Sequence, residues 1–367
     1  MRRRVALALL ATSACAVYGS SLLLPKPDAG ASDGGADAAA ACVPARWPDR
    51  PAQDDPSQGD VEVLTALSSF SFSTDQDASL GGFDLDSVCT CAGEPPAPES
   101  CVSSVGAAHC DLEAGIDNSG GQLLYKLSQL GGVLSPDSLT QSIQSGSGSM
   151  LFRVQGYNGQ PNDTQVSFSV YPSNGTIPDD AGKRPSPDFD GGDKWTVDTN
   201  ALVGGVAPPY LPSYVDPSAY VAGGVLVAHV DFPFQVGTRS VSSVFVRLKG
   251  TVVSAKLAVS GGRWSLDGML VGRWPTGNFL TALQGVVDPF DKNQHLCGDS
   301  GTYQTIKKQV CRAADVTSNL LFDGKGAPCD AISLTFVFRS SAALFGPAEP
   351  ATPAAPPCGI TYADDCL

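Results

Sequence analysis

The sequence predicts a mainly β protein: a jelly-roll-like β-sandwich with a two-helix insert and a small disulfide-rich amino-terminal subdomain. Between Met150 and Gly346, apolar residues alternate with polar ones in repeated short runs, the period of strands that are wet on one face. Forty glycines and 28 prolines in 367 residues supply the turns that so many short strands require. Eleven cysteines in such a chain point to an oxidising compartment and to disulfides rather than free thiols.

The amino terminus sets the address. Arg2, Arg3 and Arg4 precede the apolar run Val5 to Ala11, and the small residues Thr12, Ser13 and Ala14 lead to Cys15. A charged start, a short apolar stretch and small residues form an export signal. Residues 1–15 resemble a lipoprotein signal, in which Cys15 is lipidated and anchors the chain to a membrane. Thr12 departs from that pattern, where an aliphatic residue is usual. Cleavage after Ala16 and an uncleaved apolar anchor reaching Leu24 remain open as alternatives. With Cys15 set aside, ten cysteines are left, enough for five disulfides. Residues 16–60 are rich in Ala, Gly, Asp and Pro, too poor in large apolar groups to offset the entropy of ordering, and are expected to be a flexible tether. Cys42 is its one sign of a tie to something folded.

Residues 61–148 form the expected cysteine-rich subdomain. Val61, Val63, Phe70 and Phe72 suggest a strand or two. Cys89 and Cys91 are poorly placed to bridge each other, so they are expected to pair outward with Cys101 and Cys110. Leu123, Leu124, Leu127 and Leu130 share a helical face, and Ser135-Pro136 reads as the cap and first residue of a second short helix. Residues 149–346 form the expected sandwich. Val166, Phe168 and Val170 alternate with serines and glutamine; 226–234, 241–248, 252–259 and 264–271 continue the series, and Ile332, Leu334, Phe336 and Phe338 make its last strand. Gly261-Gly262 can take the positive φ angles of a tight hairpin. The insert, 277–315, carries Phe279, Leu283 and Val286 on one helical stripe and Tyr303, Ile306, Val310 and Ala313 on another. Two of Cys297, Cys311 and Cys329 are expected to pin it. In the Pro-rich tail, 347–367, Cys358 and Cys366 are expected to close a terminal loop or to tie back to Cys42.

The formal net charge of −14 excludes a nucleic-acid partner, because no basic stripe exists to displace phosphate counterions. Ala107-Ala108-His109-Cys110 and Gly298-Asp299-Ser300-Gly301 resemble the histidine and nucleophile motifs of trypsin-like proteases, in the right order. Thr302 replaces the family's next glycine, the activation sequence is missing, and a helix follows Ser300, so the match reads as chance. Calcium is the cofactor the composition allows. Asp75, Asp77, Ser79 and Asp86 fall at positions 1, 3, 5 and 12 of an EF-hand-like loop, although Leu80 occupies the position that needs glycine. Asp188, Asp190 and Asp193 form a second acidic loop. Solvated acidic turns are the simpler reading of both. Trp195, Tyr210, Tyr214 and Tyr220 border a Pro-rich loop and are the candidates for stacking on sugar rings, although packing against the neighbouring prolines is the simpler reading of the tyrosines.

Phe83-Asp84-Leu85-Asp86, Cys89-Thr90-Cys91, Cys110-Asp111 and Gly115-Ile116-Asp117-Asn118 resemble runs in uncharacterised exported lipoproteins of myxobacteria-like soil bacteria. The resemblance covers about the first 130 residues and implies location rather than activity. The expected protein is a lipid-anchored or secreted component of the cell envelope, without a required catalytic motif, binding glycan or another envelope polymer. A polysaccharide hydrolase using paired carboxylates is the alternative, since such a pair leaves no sequence signature.

Overall fold

A computed structural model describes residues 42–57, 59–72, 81–91, 99–104, 109–129, 136–238, 242–298, 300–350, 358 and 363–366. The signal with Cys15, the first part of the expected tether, and Asp75, Asp77 and Ser79 lie outside the described residues. In chain order the strands are β1 (Val61–Phe72), β2 (Ser149–Tyr157), β3 (Asp163–Ser173), β4 (Lys194–Asp198), β5 (Tyr214–Ala222), β6 (Val225–His229), β7 (Pro233–Thr238), β8 (Ser242–Arg247), β9 (Lys249–Ser260), β10 (Arg263–Pro275), β11 (Ala331–Ala342) and β12 (Leu344–Glu349). The helices are α1 (Ser119–Ser128), α2 (Pro136–Gln144), α3 (Thr276–Leu283) and α4 (Gly301–Arg312).

Eight strands close into one barrel in the order β1-β11-β10-β9-β6-β5-β3-β2, each antiparallel to its neighbours. This corrects the sandwich expectation. Alternation fixes which face of a strand is buried, but not whether the last strand meets the first. Here β1 pairs with β2 on one side and β11 on the other, so no barrel edge is left open.

The register explains the filling. Val253, Leu270, Phe336 and Phe72 lie side by side across four strands and all point inward. An eight-stranded barrel has an interior just wide enough for side chains to fill. Phe70 stacks on Phe336 with centroids 4.6 Å apart, and Phe152 meets Phe168 at 5.6 Å and Phe338 at 5.1 Å. Phe234, from the β7–β8 hairpin, reaches the edges of Phe70 and Phe336 and helps to close one end of the barrel.

Two outer faces are covered by the chain itself. The parallel pair β4–β12 brings Trp195 and Val197 over the outward Ala66, Leu151 and Tyr171 of β1, β2 and β3. On another side Trp47 and Phe83 cover Tyr220, Val227, Val252, Met269 and Val271. The expected tether is therefore corrected from Cys42 onward. Ala45 is buried, Trp47 meets Phe83 edge-on at 5.5 Å, and Arg50 donates to the carbonyls of Thr164 and Ser218. Strand β1, placed by sequence in the cysteine-rich subdomain, is a wall of the barrel.

The cysteine pairing is also corrected. Cys91–Cys110 is one of the outward pairs left open by the sequence, but Cys89 pairs with Cys42 and Cys101 with Cys329. Cys297 pairs with Cys358 and Cys311 with Cys366, so none of Cys297, Cys311 and Cys329 joins another, and the tail neither closes on itself nor reaches Cys42. The cause is the closed barrel, which brings Cys42, Cys358 and Cys366 beside the loops of one rim.

That rim is unlike the other. At one end of the barrel, 158–162, 223–224 and 261–262 join consecutive strands. All four long connections, 73–148, 174–213, 230–248 and 276–330, leave from the opposite end.

Candidate functional site

The loop end contains a buried acidic cluster. Asp84, Asp86 and Asp117 are 3%, 7% and 2% exposed, and one carboxylate oxygen from each lies within 4.8 Å of the others. They come from two stretches of the first long connection, joined through the backbone. The Asp117 amide donates to the Phe83 carbonyl at 3.1 Å, the Asp84 amide to Ala45 at 2.9 Å, and the Ala45 amide to Ala114 at 2.8 Å. Cys42–Cys89 and Cys91–Cys110 close the same loops covalently. Gly115 has φ +70°, and a Cβ there would stand 2.8 Å from the Cys89 sulfur and 3.4 Å from Asp84 Oδ2, so only glycine fits.

Half of each carboxylate's bonding is accounted for. Asp84 Oδ1 accepts from the Ser87 amide at 2.5 Å, Asp86 Oδ1 from Val88 at 2.8 Å, and Asp117 Oδ2 from Leu85 at 2.7 Å. Asp84 Oδ2 and Asp86 Oδ2 are buried without any hydrogen-bond partner. The Ser100 hydroxyl, also buried, faces Asp86 and completes no hydrogen bond of good geometry. Ser100 faces Asp86 closely enough to lower its carboxyl, so Asp84 Oδ2 is the buried oxygen that most requires an explanation, because buried polar atoms in native proteins are nearly always paired.

Among the described residues no ion pair is made to Asp84, Asp86 or Asp117. Burial pushes the Asp86 carboxyl up to about 6, with Asp84 and Asp323 adding repulsion. Burial likewise pushes Asp111 up to about 7, and Asp86, Asp315 and Asp84 repel it further. Asp117 is held well above the usual carboxylate range by burial, then by Asp86, Asp315 and Asp111. Asp315 is also raised by burial, against the opposing hydrogen bonds from Ser333. The nearby guanidinium of Arg273 is already committed. It makes a forked pair with Asp323 at 2.7 and 2.6 Å and donates to the carbonyls of Thr317 and Leu85 at 2.8 and 2.7 Å. Its bond to Leu85, the residue between Asp84 and Asp86, fixes the acidic loop to the wall of the barrel.

Other residues singled out by sequence take different places. Trp195, Tyr210 and Tyr220 are 0%, 3% and 6% exposed, which corrects their assignment as a sugar platform. They pack against the barrel, and the hydroxyls of Tyr210 and Tyr220 donate to the carbonyls of Gly346 and Pro48. Tyr214 is half-buried, with its ring 6.5 Å from Phe232. Asp190 and Asp193 accept from the amides of Gly192, Asp188 and Phe189, so this acidic loop, Asp188 included, is a self-bonded turn. Of the EF-hand-like set, Asp86 alone is described, and its partners are Asp84 and Asp117 instead.

The protease-like pair separates. Ser300 caps α4 by accepting from the Tyr303 amide, while the His109 ring bonds the Arg312 carbonyl at the other end of that helix. A 12-residue helix is about 18 Å long, far beyond proton transfer. A hydrolytic role for the acidic cluster is opposed by its burial, which leaves no room for a polysaccharide strand between the carboxylates.

Fold and site together define a disulfide-stapled up-and-down β-barrel with a buried acidic cluster among the loops of one rim. Comparison with known protein families, with curated proteins and with solved structures finds no match to this chain. The five disulfides indicate an oxidising compartment. Among the described residues no helix is long and apolar enough to cross a membrane.

Proposed function

We propose that the protein is an exported, non-enzymatic binding module of the cell envelope, held at a membrane by its amino-terminal segment and engaging an envelope glycan polymer through the loop end of its barrel. The observation that carries this reading is the asymmetry of the connections. A rigid scaffold that places every long strand-to-strand connection at one rim, and joins strands at the other by 158–162, 223–224 and 261–262 alone, follows the usual division between binding face and support. The aromatic filling of the barrel directs recognition outward to a macromolecule, since rings occupy the interior where a small ligand would sit. The long connections also expose apolar side chains, notably Phe290 (75%) and the Leu321-Phe322 pair (71% and 52%). A net charge of −14 favours an uncharged polymer over a polyanion.

Co-sedimentation of the full chain with purified peptidoglycan sacculi and with a panel of insoluble neutral polysaccharides tests the reading. Binding to one of them should fall at least tenfold in the double substitution Leu321→Ser, Phe322→Ser, and stay unchanged in Gln160→Ala at the opposite rim. Release of soluble sugar would replace the reading with a hydrolase. Equal binding by both variants would move recognition away from the loop end.

A further inference from the structure

The acidic cluster buries three carboxylates that pair with no cation among the described residues, and it leaves carboxylate oxygens of two of them unbonded. We propose that Asp84, Asp86 and Asp117 bind a calcium ion, with Ser100 beside Asp86 as a further oxygen donor. The spacing suits the ion. Calcium holds oxygens at about 2.3–2.6 Å, so two of its ligands stand up to about 5 Å apart, and the three carboxylate oxygens here lie within 4.8 Å of one another. The donor set is entirely oxygen. Cys89 and Cys91, the nearest sulfurs in sequence, are in disulfides and offer no thiolate, which disfavours zinc. Magnesium demands a near-ideal octahedron at about 2.0–2.1 Å, whereas calcium accepts an irregular oxygen set completed by water.

The surrounding bonds are those of a preformed cation cradle. Each carboxylate has one oxygen fixed by a backbone amide, from Ser87, Val88 or Leu85, which orients the group. Asp84 and Asp86, each with one orphaned oxygen, are held beside Asp117 by a loop closed by two disulfides and anchored by Arg273. If the cluster served only to bond its own loop, amides would serve as well as carboxylates, and the mutual repulsion would have no counterpart. The site owes nothing to the identity of the polymer, so polymer binding and calcium binding succeed or fail separately.

Thermal unfolding of the full chain after calcium removal, with calcium chloride, magnesium chloride or EDTA, provides the test. Calcium at a hundredfold excess over Kd should raise the Tm of the wild type by roughly 3–6 °C. Asp86→Asn and Asp117→Asn should lose that shift, and in EDTA should melt no lower than the wild type, because an amide removes repulsion while keeping an acceptor. Variants that melt lower by the same amount in EDTA and in calcium would show hydrogen-bonding residues only and overturn the proposal. An equal shift from magnesium would overturn its choice of ion. Should the variants fail to fold, calorimetric titration of the wild type with calcium decides: one bound ion per chain supports the site, and no heat, with no calcium in the purified chain by elemental analysis, removes it.

Discussion

Replacing Arg273 by Met should destabilise the protein by about 4 kcal/mol. The guanidinium is 1% exposed and serves five acceptor atoms: both oxygens of Asp323, the carbonyls of Thr317 and Leu85, and the Thr317 hydroxyl. Methionine keeps much of the aliphatic packing but leaves the largely covered Asp323 carboxylate, 11% exposed, without its cation. Breaking a buried pair from one side costs about 3–5 kcal/mol, because the remaining charge is uncompensated. The Thr317 hydroxyl still donates to Asp323 at 2.6 Å, which keeps the cost from the upper limit. At about 2 °C for each kcal/mol in a chain of this size, Tm should fall by about 8 °C. The double substitution Arg273→Met, Asp323→Leu should recover at least half of that loss, since it removes the stranded charge. Calcium affinity should fall as well, because the Leu85 carbonyl no longer ties the acidic loop to β10. A loss below about 1 kcal/mol, or a double variant no better than the single, would refute the argument that the pair is locked by desolvation.

Three further outcomes follow from the same structure. Asp86 and Asp111 hold their protons more tightly in the folded protein than in the unfolded chain, so the calcium-free protein is most stable near pH 4 and loses stability as pH rises through 6 to 7. For Asp86 the rise from 3.8 to about 6 corresponds to a loss of the order of 3 kcal/mol, readable as a falling denaturant midpoint in chelator-treated buffers; saturating calcium should flatten the profile. Removing Cys101–Cys329, which spans 228 residues, should cost about 5 kcal/mol by loop entropy, against about 3 kcal/mol for Cys91–Cys110, which spans 19; equilibrium unfolding of paired Cys→Ala variants tests the order. Gly268→Ala should destabilise by at least about 2 kcal/mol, because its Cβ would stand 2.2 Å from the Ser254 carbonyl oxygen and 2.4 Å from the Ala255 Cα, neither of which can move without breaking the β9–β10 ladder. A melt within 1 °C of wild type would show that the strands separate there.

The strands themselves were legible because their signal is local. Val166, Phe168 and Val170 alternate and face inward, Gly261-Gly262 forms the turn between β9 and β10, and Pro136 begins α2. Closure was not legible, because inward alternation is the same in a sandwich and in a barrel. Cysteine pairing failed for a related reason. Local spacing could favour Cys91–Cys110, but only the closed barrel places Cys101 beside Cys329. Trp195 and Tyr210 were sugar-stacking candidates because they border a proline-rich loop, while their burial depends on β4 lying over the distant β1, β2 and β3. The candidate site was half visible. Asp84-Leu85-Asp86 and Asp117 fall inside the distinctive runs at 83–86 and 115–118, but only backbone pairing between those loops joins them. An Asp-x-Asp pair flanked by cysteines, with no nearby Lys or Arg in sequence, is the signal that would have found it.

The most direct measurement is a crystal structure of the calcium-soaked protein, collected with anomalous data above the absorption edge of the ion. The account predicts one anomalous peak about 2.3–2.6 Å from Asp84 Oδ2, from Asp86 Oδ2 and from an oxygen of Asp117. A site without a peak, with the three carboxyl groups hydrogen-bonded to one another through shared protons, would contradict it.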